Sequence, residues 1–317
     1  MNSLERGRPE LFRAIAVTLL LNFFASTAWT AEPTRVPPVF GRHSYIEYQP
    51  GELPIVISAP HGGRERPEEI PDRTKGVLAM DTNTQELARA VADEFFARTG
   101  QRPHLILCRL QRRKLDCNRE IIEAAAGHPR AGQAWREYHG FIETARAAVV
   151  AKTGRGFFID LHGHAHKEQR LELGYLLDAA QLAHSDAELR QSDFRAQSSL
   201  RRLVADRPAD FSELLRGPRS FGALLEKEGF PCSPSLDNPS PPAPFFRGGY
   251  SVQRHAAEAE HFAGLQLETY FKGVRDTAAS RTNFSRALVR VTTIFLAEQM
   301  KLTLPGTSPT KAAARSE

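Results

Sequence analysis

Gly156-Phe157-Phe158-Ile159-Asp160-Leu161-His162-Gly163-His164-Ala165-His166 is a short apolar run that stops in one acid and three alternating imidazoles. A hydrophobic segment of this length, opened by glycine, reads as a strand covered on both faces of a sheet. In open α/β sheets, ligands sit just beyond the carboxyl ends of such strands. Asp160, His162, His164 and His166 fall at that edge, which makes the run one wall of a candidate site.

Working outward, the same pattern recurs. Tyr45 to Tyr48, Pro50-Gly51 and Ile55-Val56-Ile57 read as strand, turn, strand, and the second strand runs into Ser58-Ala59-Pro60-His61-Gly62-Gly63. From Thr84 to Arg98 the residues Leu87, Val91 and Phe95 recur every fourth position, the stripe of an amphipathic helix closed by Gly100. Leu105 to Leu107 is the next strand, and a helix from about Ala131 to Lys152 leads into the opening run. Leu171 to Leu177 reads as a strand, followed by short helical stretches to about Glu228. Pro231 to Pro244 holds six prolines and reads as an irregular loop. A strand near Leu265 to Glu268 and a helix around Phe284 to Lys301 complete the pattern. Strands alternating with helices predict an α/β fold: a three-layer αβα arrangement around a mixed, largely parallel sheet.

The chain of 317 residues, 41% hydrophobic and 25% charged, is long enough for one sizeable core. Its beginning is different. Arg6, Arg8 and Arg13 precede an apolar stretch from Ala14 to Ala25, and Ser26-Thr27-Ala28 supplies small residues. This is the pattern of a secretory signal peptide over residues 1–28, cut after Ala28, with Ala31 a second cut point. About 12 apolar residues interrupted by Asn22 are too few to span roughly 30 Å of hydrocarbon. The expected organisation is therefore a signal peptide, a polar lead-in over 29–42, one α/β domain over 43–303 and a disordered tail over 304–317. An exported, periplasmic or secreted protein with no stable membrane insertion after cleavage is expected.

The formal charge is +5. Residues 1–28 carry three Arg against Glu5 and Glu10, so the mature part keeps +4. Apart from Arg109, Arg112, Arg113 and Lys114 the basic residues are scattered and not interleaved with aromatics, which argues against a nucleic-acid groove. Cys108, Cys117 and Cys232 lack metal-site spacing, and export allows one bridge among them without choosing which.

Three groups of residues carry chemistry. His61, Asp81 and His162 stand at separate strand or helix ends, and two imidazoles with a carboxylate are a ligand set for a catalytic zinc ion that keeps a fourth position open. Glu65 competes with Asp81 for the third place, and His164 with His162; Asp81 also suits a plain helix N-cap. Next, Asn118 and Arg119 lie side by side at a strand exit, where they suit a grip on a substrate carboxylate, with Arg112 and Arg113 adding positive potential. Finally, Gly248-Gly249-Tyr250 suits a loop closing over a small substrate, and Glu268 ends an apolar strand where a general base would activate water.

In this order, Ser58-Ala59-Pro60-His61-Gly62-Gly63, Asp81, Leu115-Asp116-Cys117-Asn118-Arg119, Asp160-Leu161-His162-Gly163, Gly248-Gly249-Tyr250 and Gln266-Leu267-Glu268 resemble the motifs of N-formylglutamate amidohydrolases, over roughly residues 53 to 295. The resemblance implies a zinc carboxypeptidase-like (phosphorylase/hydrolase-like) fold and a zinc-dependent amidohydrolase with one ion. It implies His61 and His162 as metal ligands, Asn118 and Arg119 as holders of a substrate carboxylate, Glu268 as general base and Tyr250 as part of the closing loop. The carboxypeptidases carry a metal-binding acid three residues after the first His; here that position is Arg64, which leaves Asp81 for the third ligand. Arg113 is the residue chosen for the oxyanion-stabilising arginine, and Asp160 and His164 stand behind or beside the ligands. The implied substrate is a small anionic N-acyl amino acid or short peptide. N-formylglutamate is an intracellular intermediate, so an export signal raises two alternatives: an exported zinc carboxypeptidase or peptidoglycan-peptide amidase, and a non-catalytic ligand-binding protein.

Overall fold

A computed structural model describes residues 36–191, 193–205 and 210–307, all within one compact unit. The proposed signal peptide, the first half of the lead-in and the last ten residues of the tail lie outside the described residues. Eight strands form one sheet: β1 (Val39–Phe40), β2 (Ile46–Gln49), β3 (Ile55–Ala59), β4 (His104–Cys108), β5 (Gly156–Gly163), β6 (Leu171–Gly174), β7 (Cys232–Ser233) and β8 (Phe262–Thr269). Their spatial order is β1-β2-β4-β3-β5-β8-β6-β7. The central four, β4, β3, β5 and β8, run parallel. β2 joins β4, and β6 joins β8, antiparallel, so the sheet is mixed and largely parallel in its middle.

The helices are α1 (Thr84–Thr99), α2 (Ile121–Ala125), α3 (Pro129–Thr153), α4 (Ala179–Leu182), α5 (Asp186–Gln191), α6 (Phe194–Gln197), α7 (Phe211–Arg216), α8 (Phe221–Lys227), α9 (Tyr250–Val252) and α10 (Ala278–Gln299). They cover both faces, as the alternation of the strands requires. Ile55, Ile57, Leu105, Phe157, Ile159, Leu161, Leu265 and Leu267 share a buried core with α1, α7, α8 and α10. Val56, Ile106, Phe158 and Phe262 pack on the other side with Trp135, Tyr138 and Ile142 of α3. None of the described helices is long and apolar enough to cross a membrane.

Helix ends follow local chemistry. Gly100 adopts φ 70° and its N–H bonds the Phe96 carbonyl at 2.8 Å, closing α1 as the sequence predicts. Asp81 is not the cap of that helix; Asn83 occupies the position, and Asp81 is turned elsewhere. The proline-rich stretch is irregular apart from two-residue β7, which pairs in parallel with the first residues of β6. The three cysteines are buried and unbridged.

Because side chains alternate along a strand, the opening run has two different faces. Phe157, Ile159 and Leu161 enter the α1/α10 core, while Phe158, Asp160 and His162 point the opposite way. The register extends that second face across the sheet: Ser58 pairs with Asp160 and Asp160 with Gln266, and one step on, His162 pairs with Glu268 and Glu268 with Glu172. Buried polar rows thus replace the apolar face at the carboxyl edge of the parallel strands.

Candidate metal and catalytic centre

Each histidine of the pair arrives on a different strand exit. His61 follows β3 through Pro60, and His162 is the seventh residue of β5; their rings meet edge to face with centroids 4.8 Å apart. His61 Nε2 lies 2.7 Å from Asp116 Oδ1, and His162 Nε2 lies 2.7 Å from Asp160 Oδ2. A carboxylate there fixes the proton on Nε2 and leaves Nδ1 as the ligating atom, the arrangement that metal-binding histidines use. Both Nδ1 atoms then face one point: each is 3.3 Å from Asp81 Oδ2. One donor atom from each of His61, Asp81 and His162 lies within 4.8 Å of the others, and the three side chains are almost fully buried.

The supporting carboxylates are themselves held. Asp116 Oδ1 also accepts the Asn118 N–H at 3.0 Å, and its Oδ2 accepts from Arg112 Nε at 3.0 Å. Asp160 Oδ1 accepts the Ser58 hydroxyl at 2.5 Å. Asp81 Oδ2 accepts the Gly163 N–H at 3.2 Å, and its Oδ1 faces Arg112 at 3.4 Å. Arg275 closes the same edge from behind, donating to the carbonyls of Thr82, His164 and Thr269. Gly163 lets that guanidinium in: a Cβ there would lie 2.4 Å from Arg275 Cζ.

Glu268 stands beside the cluster, with Oε1 3.9 Å from His162 Nδ1. Oε1 accepts from Gln266 Nε2 at 2.8 Å, whereas Oε2 is buried and without a hydrogen-bond partner among the described residues. Burial pushes the Glu268 carboxyl up to about 8, against the opposing pull of His162. Burial also disfavours the charged form of Asp81, but the two imidazoles outweigh it and hold that carboxyl well below the usual range. For His162, burial is outweighed by Asp160, and its pKa lies well above the ordinary imidazole value. Histidine ligands release protons on binding metal. An orphaned carboxylate oxygen, two pre-oriented imidazoles and a shared carboxylate fit a zinc-like cation, a donor set of nitrogen and oxygen.

The chain is also similar to solved structures in its overall fold. An N-formylglutamate amidohydrolase from Ralstonia eutropha JMP134 superposes with a TM-score of 0.49 at 15% identity, covering 81% of this chain and 98% of that one. The gene product Atu2144 from Agrobacterium tumefaciens gives 0.49 at 14% identity, over 81% and 96% of the two chains. No protein-family model and no curated protein matches the chain.

The remaining sequence-chosen residues divide. Asn118 is inside: Nδ2 donates to Gln266 Oε1 at 3.1 Å, Oδ1 accepts the Ser251 N–H at 2.9 Å, and Gly249 packs so close that a Cβ there would lie 2.5 Å from the amide. Arg119 is half-exposed and turned to Glu123 at 3.3 Å. Arg113 is directed away, onto Asp72 at 3.2 Å; the arginine beside Asp81 is Arg112. Tyr250 stacks at a tilt on Trp135 and accepts from Arg254 at 3.0 Å, so it anchors the loop that carries Gly249. Glu65 pairs with Arg109 at 2.6 Å and Arg64 with Glu86 at 2.8 Å, both outside the cluster. His164 belongs to a neighbouring group with His166 and Glu172. Asp116, Ser58 and Gln266 had no assigned chemistry in the sequence, and Arg112 only a share of positive potential, although the matching parity of 58, 160 and 266 at three strand ends is a legible signal for a buried polar row. A cleft of about 740 Å³ at the opposite sheet edge, lined in part by Arg155, His261 and Lys301, contains none of these residues.

Proposed function

We propose that this protein is a metal-dependent hydrolase of the amide bond in N-acyl amino acids, of the type of N-formylglutamate. The observation that carries the reading is the convergence of His61 Nδ1 and His162 Nδ1 on one oxygen of Asp81, with the unpartnered oxygen of Glu268 beside them. Bound there, a zinc ion supplies Lewis-acid polarisation of a carbonyl and eases the ionisation of water. Glu268, raised toward neutral pH, takes the proton of the attacking water and returns it to the leaving nitrogen. Asp116 and Asp160 hold the two rings in the ligating tautomer through the cycle. Arg112 places positive charge at the side of the cluster where an oxyanion develops, as fixed donors do in acyl-transfer sites. Arg119 exchanges its surface contact with Glu123, a pair of the kind worth about 0–1 kcal/mol, for the substrate carboxylate.

One observation favours a second reading of the same site. The basic and apolar N-terminus has the form of an export signal, and in this second reading the enzyme is exported and acts on short peptides, including cell-wall peptides. Purified protein offered N-formyl-L-glutamate, other N-acyl amino acids and short peptides in turn decides between them. Turnover of the N-acyl amino acids is expected; turnover of peptides alone excludes the first reading and leaves the second. A binding protein without turnover is the outcome if neither class is cleaved while both are bound.

A further inference from the structure

Beyond His162 lies a second group of donors that the reaction above leaves unused. His164 is 4% exposed, and its Nε2 lies 2.9 Å from the Arg170 carbonyl. A carbonyl oxygen only accepts, so Nε2 carries the proton and Nδ1 keeps its lone pair, as in a metal-binding imidazole oriented by a backbone carbonyl. His166 Nδ1 lies 2.9 Å from Glu172 Oε1, and Glu172 is fully buried. One donor atom from each of His164, His166 and Glu172 lies within 4.8 Å of the others. The group is braced from outside: Glu172 Oε2 accepts the Phe246 N–H at 2.8 Å, and the His166 ring stacks on the Phe246 ring at 4.6 Å with 11° between planes.

We propose that His164, His166 and Glu172 form a second divalent-cation site. Two imidazole nitrogens and a carboxylate oxygen select an ion such as zinc or cobalt over magnesium or calcium, which prefer oxygen ligands. Its place in the sheet is defined by register. Glu172 is paired with Glu268 across β6 and β8, and Glu268 with His162 across β8 and β5, so the two donor groups flank Glu268. Two local contacts give way on binding. The backbone N–H of His166, 3.1 Å from His164 Nδ1, is displaced, and the ring proton of His166 moves from Nδ1 to Nε2. Arg170, 3.3 Å from Glu172 Oε1, stays attached to the carbonyls of Pro242 and Pro244, and its charge weakens the site without filling it.

The site stands independently of the proposed reaction, and metal stoichiometry separates the two. Full-length protein stripped with a chelator is titrated with zinc alone and its bound metal counted by atomic emission, for the wild type, His61→Ala, His166→Ala and Glu172→Gln. Expected are two ions for the wild type and one for each variant. Circular dichroism checks that the near-isosteric Glu172→Gln keeps the fold, and the partly exposed His166 gives a second variant that does not disturb the core. Overturning results are a single wild-type ion that His61→Ala abolishes, or two ions retained in both His166→Ala and Glu172→Gln. A single wild-type ion that survives His61→Ala but not His166→Ala supports this site and removes the other.

Discussion

At the scale of single residues, the fitness of His61 and His162 to hold the proposed cation comes from what their other nitrogens touch. Asp116 and Asp160 each take an Nε2 proton at 2.7 Å, and Ser58, Arg112 and the Asn118 N–H hold those acids in turn. Asp116→Asn removes the charge that orients His61 and is expected to weaken zinc binding about 10- to 100-fold, read by competition with a chromophoric chelator. Unchanged affinity would mean that Asp116 does not orient a ligand. His61, His162 and Glu268 were legible as candidates because imidazoles and acids at strand ends interrupt apolar runs, and Asp81 as an acid just before the start of a helix. The choice between Arg112 and Arg113 was not legible. The two neighbours leave one turn in opposite directions, one to Asp81 and the other to Asp72, and nothing in the order of residues states that direction.

At the scale of elements, β5 does the positioning. Its alternation sends Phe157, Ile159 and Leu161 into one core and Asp160 and His162 to the site, and Gly163 admits the guanidinium of Arg275 that fastens the carbonyls of Thr82, His164 and Thr269. Gly163→Ala is expected to cost about 1–3 kcal/mol by overpacking, visible as a lowered thermal midpoint, and to reduce zinc affinity because the Gly163 N–H also holds Asp81. A variant with wild-type stability and affinity would show that Arg275 can move aside freely. The long strands and helices were readable from periodicity, since α1, α3 and β5 each repeat a pattern over several turns or steps. Two-residue β7 was not, because it lies among prolines and its pairing depends on where β6 arrives. The N-cap alternative for Asp81 was equally open in sequence, and only the fold separates it: the residue sits two positions before the cap and faces the histidines.

At the scale of the whole molecule, burial of neutral imidazoles sets an acid limit. Burial pushes His104 down to about 4 and His139 down to about 3, and depresses His255 as well. Unfolded imidazoles take a proton near 6.5, so below that pH the unfolded chain binds more protons than the folded one. The stability gained by keeping these rings neutral is complete above about pH 6.5 and is lost as pH falls toward 4. His104 lies remote from the centre, with Nδ1 2.8 Å from the Tyr48 hydroxyl, and isolates the effect. Urea unfolding of metal-stripped protein between pH 6.5 and 5 is expected to show a shallower fall for His104→Gln than for the wild type, by about one proton. Equal slopes would mean that His104 is protonated in the folded state.

The central claim joins a cation held by His61, Asp81 and His162 to proton transfer by Glu268. It is tested most directly by the rate of N-formyl-L-glutamate hydrolysis, measured before and after chelation and again after zinc is restored, for the wild type and Glu268→Gln. The account predicts that chelation abolishes wild-type turnover and zinc returns it, while Glu268→Gln binds zinc as tightly but turns over about 100- to 10,000-fold more slowly. Turnover that survives removal of the metal, or a Glu268→Gln rate within a few-fold of the wild type, would contradict it.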